Sequence, residues 1–234
     1  MLADSPARSP SSGALGPWIH RPGTFLHQLI EFVAEHLPDW RDDPDRPQLR
    51  SERELTAQLG MYLNAAARSG LDVVQFQIET PDDVQHGRSL DLTALPSGQP
   101  MYVAGRRYTK FQVLLPMECK RLPTPDDPRR DPREYVTTGE FARGGIQRFK
   151  LGFHGATHSV AVIIAYIQAE NAEAWVRRIN DWIAELARVD PSWVGETLTV
   201  HATTGAVHRA RSLHSRDASG RAAIELQHLW IEIQ

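Results

Sequence analysis

The chain predicts an α/β fold built on a central mixed β-sheet flanked by helices. Amphipathic segments with a 3.6-residue period alternate along it with short runs rich in Val, Ile and Phe. Three strand candidates in succession, joined by short turn-like segments, imply an antiparallel meander. Finally, the run SVAVIIAYIQ at 159–168 is almost wholly apolar, as in a strand covered on both faces.

Residues 1–22 are dense in Pro, Ser and Gly and read as a flexible leader, with Trp18 and Ile19 as candidates to pack onto the body. One domain is expected over 23–234, a length that can bury a full core. A helix should follow Thr24, with Phe25, Leu26, Leu29, Ile30 and Val33 on one stripe, and stop near Pro38. The charged, Pro-punctuated segment 39–48 then connects to a second helix. Ser51 and Glu54 form an S-x-x-E capping box there, and Leu55, Leu59, Tyr62 and Leu63 supply the apolar face up to Gly70.

The meander strands are expected at 71–78, 89–95 and 111–122, followed by a Pro-, Asp- and Arg-rich loop at 123–133. Segment 139–153 has helical character despite Gly144 and Gly145. After the strand at 159–168 comes a strong amphipathic helix carrying Trp175, Val176, Ile179, Trp182, Ile183 and Leu186. Segments 198–208 and 223–233 close the order as strands.

Charge is close to balanced at −3, but unevenly spread. From Arg106 to Lys150 there are 11 Lys or Arg against 6 Asp or Glu, a local +5 that leaves −8 elsewhere. One basic face is enough to hold a polyanion. The single cysteine, Cys119, permits no internal disulfide and suits a reducing, cytoplasmic setting. The longest apolar run, Val160 to Ile167, is far short of the ~20 residues that span a bilayer, so no membrane role is expected.

The chemistry concentrates in Asp91 and the tripeptide Glu118-Cys119-Lys120. Residues i and i+2 of a strand share a face, so Glu118 and Lys120 project together while Cys119 points away. An acid and a base side by side after Val113, Leu114 and Leu115 are costly unless paired or metal-bound. Asp91 supplies a second carboxylate from the neighbouring strand. Two carboxylates suit a hard cation such as Mg²⁺, with the Cys119 carbonyl as a third oxygen. Lys120 would orient or deprotonate an attacking water, or stabilise charge in the transition state.

Asp91 followed by Glu118-Cys119-Lys120 resembles the PD-(D/E)XK, or restriction-endonuclease-like, superfamily. The element order over about 51–168 resembles that family's core as well. The resemblance implies a nuclease that uses Mg²⁺ or Mn²⁺, with Asp91, Glu118 and Lys120 as its catalytic set. It also implies a first-helix glutamate at Glu54, for which Glu52 is a rival and the capping box an alternative explanation. Gln147, Arg148 and Lys150 on the later helix, with Arg121, would contact nucleic acid. Leu90 stands where the family motif has proline. A literal Pro81-Asp82 lies in a turn-like segment, so Asp91 is preferred.

Cys119 reads as buried filler, not a nucleophile. His154 and His158 have ligand-like spacing, but Gly155 and the lack of a third soft ligand argue against zinc. The basic stretch from His201 to Arg221 is either a nucleic-acid contact or an ordinary surface. The reading is therefore a DNA-directed, metal-dependent endonuclease, acting as a nicking monomer, as a dimer, or with a partner protein of a bacterial defence or mobile-element system. RNA is the alternative substrate. A catalytically silent scaffold of the same fold is the alternative class.

Overall fold

A computed structural model describes residues 24–82, 84, 87–139, 144–204, 207–216 and 220–233. The expected leader, 1–22, lies outside these residues. The chain forms a seven-stranded mixed sheet flanked by helices.

Helix α1 (Thr24–Asp42) runs four residues past the expected stop at Pro38. Proline removes one helix hydrogen bond, but Leu37 and Trp40 on either side of it are buried in the core. Burial of side chains this size contributes about 1.5–3 kcal/mol each and outweighs the local defect. Helix α2 (Glu52–Gly70) starts at the expected cap: Ser51 Oγ accepts the Glu54 N–H at 3.2 Å and donates to the Glu54 carboxylate at 2.6 Å.

Strands β1 (Val74–Pro81), β2 (Ser89–Pro96) and β5 (Leu115–Leu122) form the antiparallel meander, but β5 begins four residues later than predicted. The difference is a hairpin inserted between β2 and β5. It consists of β3 (Met101–Val103) and β4 (Arg106–Tyr108), turned by Ala104 and Gly105, both at positive φ. That is the geometry of a two-residue turn. Its Ala-Gly sequence lacks the Asn or Asp that usually advertises one.

After β5 come α3 (Gly145–Lys150), β6 (Val160–Ile167) and α4 (Ala172–Val189). Expected closing strand 198–208 is in fact β7 (Thr199–Thr204) and the start of β8 (Val207–Arg216), and β9 (Arg221–Glu232) follows. The sheet order is β1-β2-β5-β6-β9-β8-β7, with β6 parallel to both β5 and β9 and all other pairs antiparallel.

Two cores line the two faces of the sheet. Val162, Ile164 and Tyr166 of β6 pack with α1 and α2, whereas Ala161, Ile163, Ala165 and Ile167 pack with α3 and α4. Beside the second core runs a hydrogen-bonded chain of buried polar groups. It passes from Lys150 to Glu196 (2.7 Å), His214 (2.7 Å), Ser212 (2.7 Å), His228 (2.8 Å), Tyr135 (2.7 Å) and Trp230 (2.7 Å).

Candidate functional site

The meander opens where the expected residues lie. Strands β2 and β5 pair from Ala94 and Leu115 to Leu92 and Met117, and no further. Asp91, the next residue of β2, turns its carboxylate into the gap. Its Oδ2 accepts the Cys119 backbone N–H at 2.9 Å, replacing the missing ladder bond. Glu118 and Lys120 project together from β5, as their spacing predicts, with Glu118 fully buried and Lys120 nearly so.

Lys120 sits at the centre of the cluster. Its Nζ lies 2.9 Å from Glu118 Oε1, 3.3 Å from Glu52 Oε1 and 3.7 Å from Asp91 Oδ2, and donates to the Cys119 carbonyl at 2.9 Å. Burial by itself would weaken the ammonium, but Glu118, Glu52 and Asp91 together hold its pKa well above the ordinary lysine range. Glu118 is the counterpart. Burial opposes its charge, yet Lys120, His154 and Arg148 keep it ionised far below the usual carboxylate range. Arg148 Nη1 is bonded to Glu118 Oε1, and His154 Nδ1 lies 3.1 Å from Oε2.

Asp91 differs from both. Burial, and next the charge of Glu118, raise its pKa to about 6, against the opposing pull of Lys120 and the Cys119 N–H. A buried carboxyl with a second carboxylate nearby behaves this way.

Helix α3 delivers Arg148, and glycine makes its docking possible. A Cβ at Gly145 would lie 2.9 Å from the Tyr135 carbonyl oxygen, and one at Gly144 would overlap Thr137 backbone. The Pro-, Asp- and Arg-rich loop walls the site. Arg129, Arg130, Asp131 and Glu134 border a cavity of about 410 Å³ that also touches Glu52, Asp91, Lys120 and Arg148. A second cavity of about 380 Å³, between Arg88, Ser89, Asp91, Arg148 and His154, opens on the other side of Asp91.

Several expectations need correction. Glu54 is not in the cluster: its carboxylate is used by the Ser51 cap. Glu52, two residues earlier, reaches in, accepting the Arg121 N–H at 3.0 Å as well as facing Lys120. Lys150 is not available to nucleic acid, because its buried Nζ bonds Glu196 at 2.7 Å and the carbonyls of Ser192 and Ser215. Gln147 accepts the Thr138 N–H at 3.2 Å and so braces the loop next to the cavity. Arg121 is half-buried at the rim, near Arg130 and Glu52. The C-terminal basic stretch is not one face: His214 and Arg216 are buried, and Arg209 pairs with Glu31.

Cys119 is filler, as read. Its thiol is fully buried beside the Tyr166 hydroxyl at 3.6 Å, and burial pushes its pKa up. Asp82, of the literal Pro-Asp pair, bonds the Gly155 N–H at 3.1 Å and stays out of the cluster. The two histidines separate: His154 joins Glu118, whereas His158 Nε2 bonds the Val113 carbonyl at 2.9 Å.

Among the described residues, no group of three or more His, Cys, Asp or Glu is already arranged around a metal position. The donor types nonetheless suit a hard divalent cation: two carboxylates and a main-chain carbonyl, with a third carboxylate adjacent. What occupies their oxygens is positive charge from the protein itself, Arg148 and Lys120 on Glu118 and Lys120 on the Cys119 carbonyl. Among the described residues no helix is long and apolar enough to cross a membrane. Comparison with protein-family models, curated proteins and solved structures finds no match.

Proposed function

We propose that this chain is a metal-dependent nuclease of the restriction-endonuclease-like kind, hydrolysing phosphodiester bonds in DNA. The observation that supports it best is the convergence of Asp91, Glu118 and Lys120 where β2 and β5 part. In this reading Asp91, Glu118 and the Cys119 carbonyl would hold Mg²⁺ or Mn²⁺. When bound, such an ion lowers the pKa of a water and screens the phosphate charge.

The chain's own groups have distinct roles. Hydrolysis forms one P–O bond to water and breaks one P–O bond to a sugar oxygen, so negative charge builds on the phosphate. Lys120, held as a cation, has no lone pair with which to take a proton. Its role is then to orient the water and offset that charge, not to act as the base. Glu52 fixes the Lys120 ammonium and the adjacent backbone. Arg148, mostly buried but bordering both cavities, is placed to meet a phosphate oxygen.

The test is cleavage of plasmid, linear duplex, single-stranded DNA and RNA with Mg²⁺, Mn²⁺ or EDTA, beside Asp91→Ala and Lys120→Ala. Metal-dependent cutting that both substitutions abolish is expected. Undiminished cutting by folded variants would overturn the assignment.

A second reading has its own observation. Every oxygen of Glu118 is engaged by Lys120, Arg148 or His154, a network that could serve purely as a buried strut. In that case the chain is a scaffold, and calorimetry with Mn²⁺ would register no binding.

A further inference from the structure

The inserted hairpin shows a surface that the catalytic cluster does not use. Tyr102 and Arg107 are cross-strand partners at the centre of β3 and β4, and both face outward. Their neighbours Val103 and Tyr108 are buried in the core, which anchors the ribbon and fixes which side is presented. Tyr102 is 75% exposed, and Phe111, just beyond β4, is 78% exposed. Isolated apolar side chains on a surface need no explanation. Here, though, the two exposed aromatic rings stand beside two exposed cations, Arg107 and Lys110, with the partly buried Arg106 on the ribbon's inner side, and no Asp or Glu occurs in the sequence between Asp91 and Glu118. Two of these cations lie over rings, Arg106 over Tyr108 at 4.7 Å and Lys110 over Phe111 at 5.1 Å.

We infer that this ribbon binds an unpaired nucleotide strand, with bases stacking on Tyr102 and Phe111 and phosphates meeting Arg107 and Lys110. Stacking needs a base face that a closed duplex does not offer, and aromatic platforms set among cations are how single strands are held without sequence preference. Charge complementarity chooses the occupant: a segment that carries Arg106, Arg107 and Lys110 and no acid over 92–117 favours a densely charged polyanion over a second copy of this chain, whose 234 residues carry only −3.

The ribbon is also tied to the site. Arg106 Nη1 donates to Thr157 Oγ1 at 3.0 Å, and Thr157 is three residues from His154, which touches Glu118. Three residues span at most about 11 Å, so a strand lying on the ribbon can run on toward the cluster. The substrate side of this inference rests on the nuclease reading; the binding itself does not.

The experiment is fluorescence anisotropy with oligothymidine, oligouridine and a blunt duplex, in EDTA, so that no cleavage enters. Tyr102→Ser and Phe111→Ser should each weaken single-strand binding about tenfold or more, and Arg107→Glu should weaken it and flatten its salt dependence. Tyr102→Phe should keep the affinity, because the ring remains. Melting temperatures should not move, since these groups are exposed. Thymidine and uridine strands should bind alike, because neither stacking nor phosphate contact reads the 2′-OH, and a blunt duplex bound as tightly as both would overturn the inference. Unchanged affinity in the serine variants would overturn the inference. So would a change of sedimentation from dimer to monomer in those variants, which would make the ribbon a self-association surface. Ribbon-dependent binding with no cutting under any metal would sink the nuclease reading and leave this one standing.

Discussion

Glu52 Oε1 lies 3.3 Å from Lys120 Nζ while Glu52 Oε2 accepts the Arg121 N–H at 3.0 Å. The first turn of α2 therefore closes the cluster from the side opposite α3. The lysine is gripped between a carboxylate on its own strand and one from a helix in the other layer.

Two glutamates two residues apart should then behave differently. Glu52→Gln is expected to lower cleavage about a hundredfold or more, since the lysine loses its positioning partner. Glu54→Gln should keep activity and lose about 0.5–1 kcal/mol of stability through the weakened cap. Steady-state cleavage rates beside thermal melts separate them. Equal activity loss in both would show that Glu52 holds no special place.

Substitution of Glu118 leaves Arg148 without its carboxylate and Lys120 with only Glu52 and Asp91 to offset its buried charge. Removing one partner of a buried pair costs about 3–5 kcal/mol, whereas exchanging both for apolar groups is often close to neutral. Glu118→Gln should thus melt earlier than the double variant Glu118→Gln/Lys120→Met. A double variant less stable than the single one would contradict the coupling.

Asp91 is protonated below about pH 6, its raised value in the folded protein. A cation needs the ionised carboxylate. Mn²⁺ affinity measured by calorimetry should fall roughly tenfold for each pH unit below 6 and level off above about 7. Asp91→Asn should abolish that dependence along with most of the affinity. A flat profile from pH 5 to 7 would remove Asp91 from the donor set.

Lys150 and Arg148 offer a contrast within one short helix. Lys150→Ala should cost about 3 kcal/mol, because it removes the cation beside buried Glu196 and leaves only His214 and the Ser215 N–H to hold the carboxylate, and should leave nucleic-acid affinity unchanged. Arg148→Ala should weaken nucleic-acid binding, with a smaller salt slope. Binding assays in EDTA at two salt concentrations make the comparison. An affinity loss in Lys150→Ala equal to that in Arg148→Ala would contradict the division of labour.

Acid should loosen the second core. Burial holds His214 below the ordinary imidazole range and His228 well below it. Both are neutral when folded but take up protons when unfolded, so their contribution is complete above pH 6.5 and is lost as pH falls. Each costs up to about 1.4 kcal/mol per pH unit below that point. The urea midpoint should drop between pH 7.5 and 6. A midpoint constant over that range would mean the pair stays paired and charged.

Sequence periodicity was sufficient for the helices and for β6, because their burial patterns are local and strong. Asp91, Glu118 and Lys120 were also legible, since an i, i+2 acid and base after an apolar run conflicts with an ordinary core strand. Glu52 was legible only as the rival to Glu54, although the capping box already gave Glu54 a structural task. Arg148 could be proposed as a phosphate contact, but its bond to Glu118 depends on how α3 docks on Tyr135 and Thr137, which no local pattern encodes. His154 was considered only as a metal ligand, and its true partner is 36 residues away. The β3–β4 hairpin escaped because its turn is Ala-Gly. Lys150 looked like surface because a buried lysine is rare, and its partner Glu196 is distant in sequence.

The hydrogen-bonded chain from Lys150 to Trp230 has a consequence for how the strands find their alignment. Ser212 and His214 on β8 and His228 on β9 must face the same layer for the chain to close, with Ala210 opposite His228 and Ser212 opposite Leu226. A slip of β8 by one residue would turn Ser212 and His214 away from His228 and send Arg211 and Leu213 to that face instead. Apolar strands of similar bulk tolerate such errors cheaply. Here a misaligned hairpin would take His214 and Ser215 away from the buried Glu196–Lys150 pair and leave part of its hydrogen-bonding capacity unmet. The polar chain therefore acts as a lock on register, penalising near-miss pairings during folding more than it adds to the stability of the finished sheet.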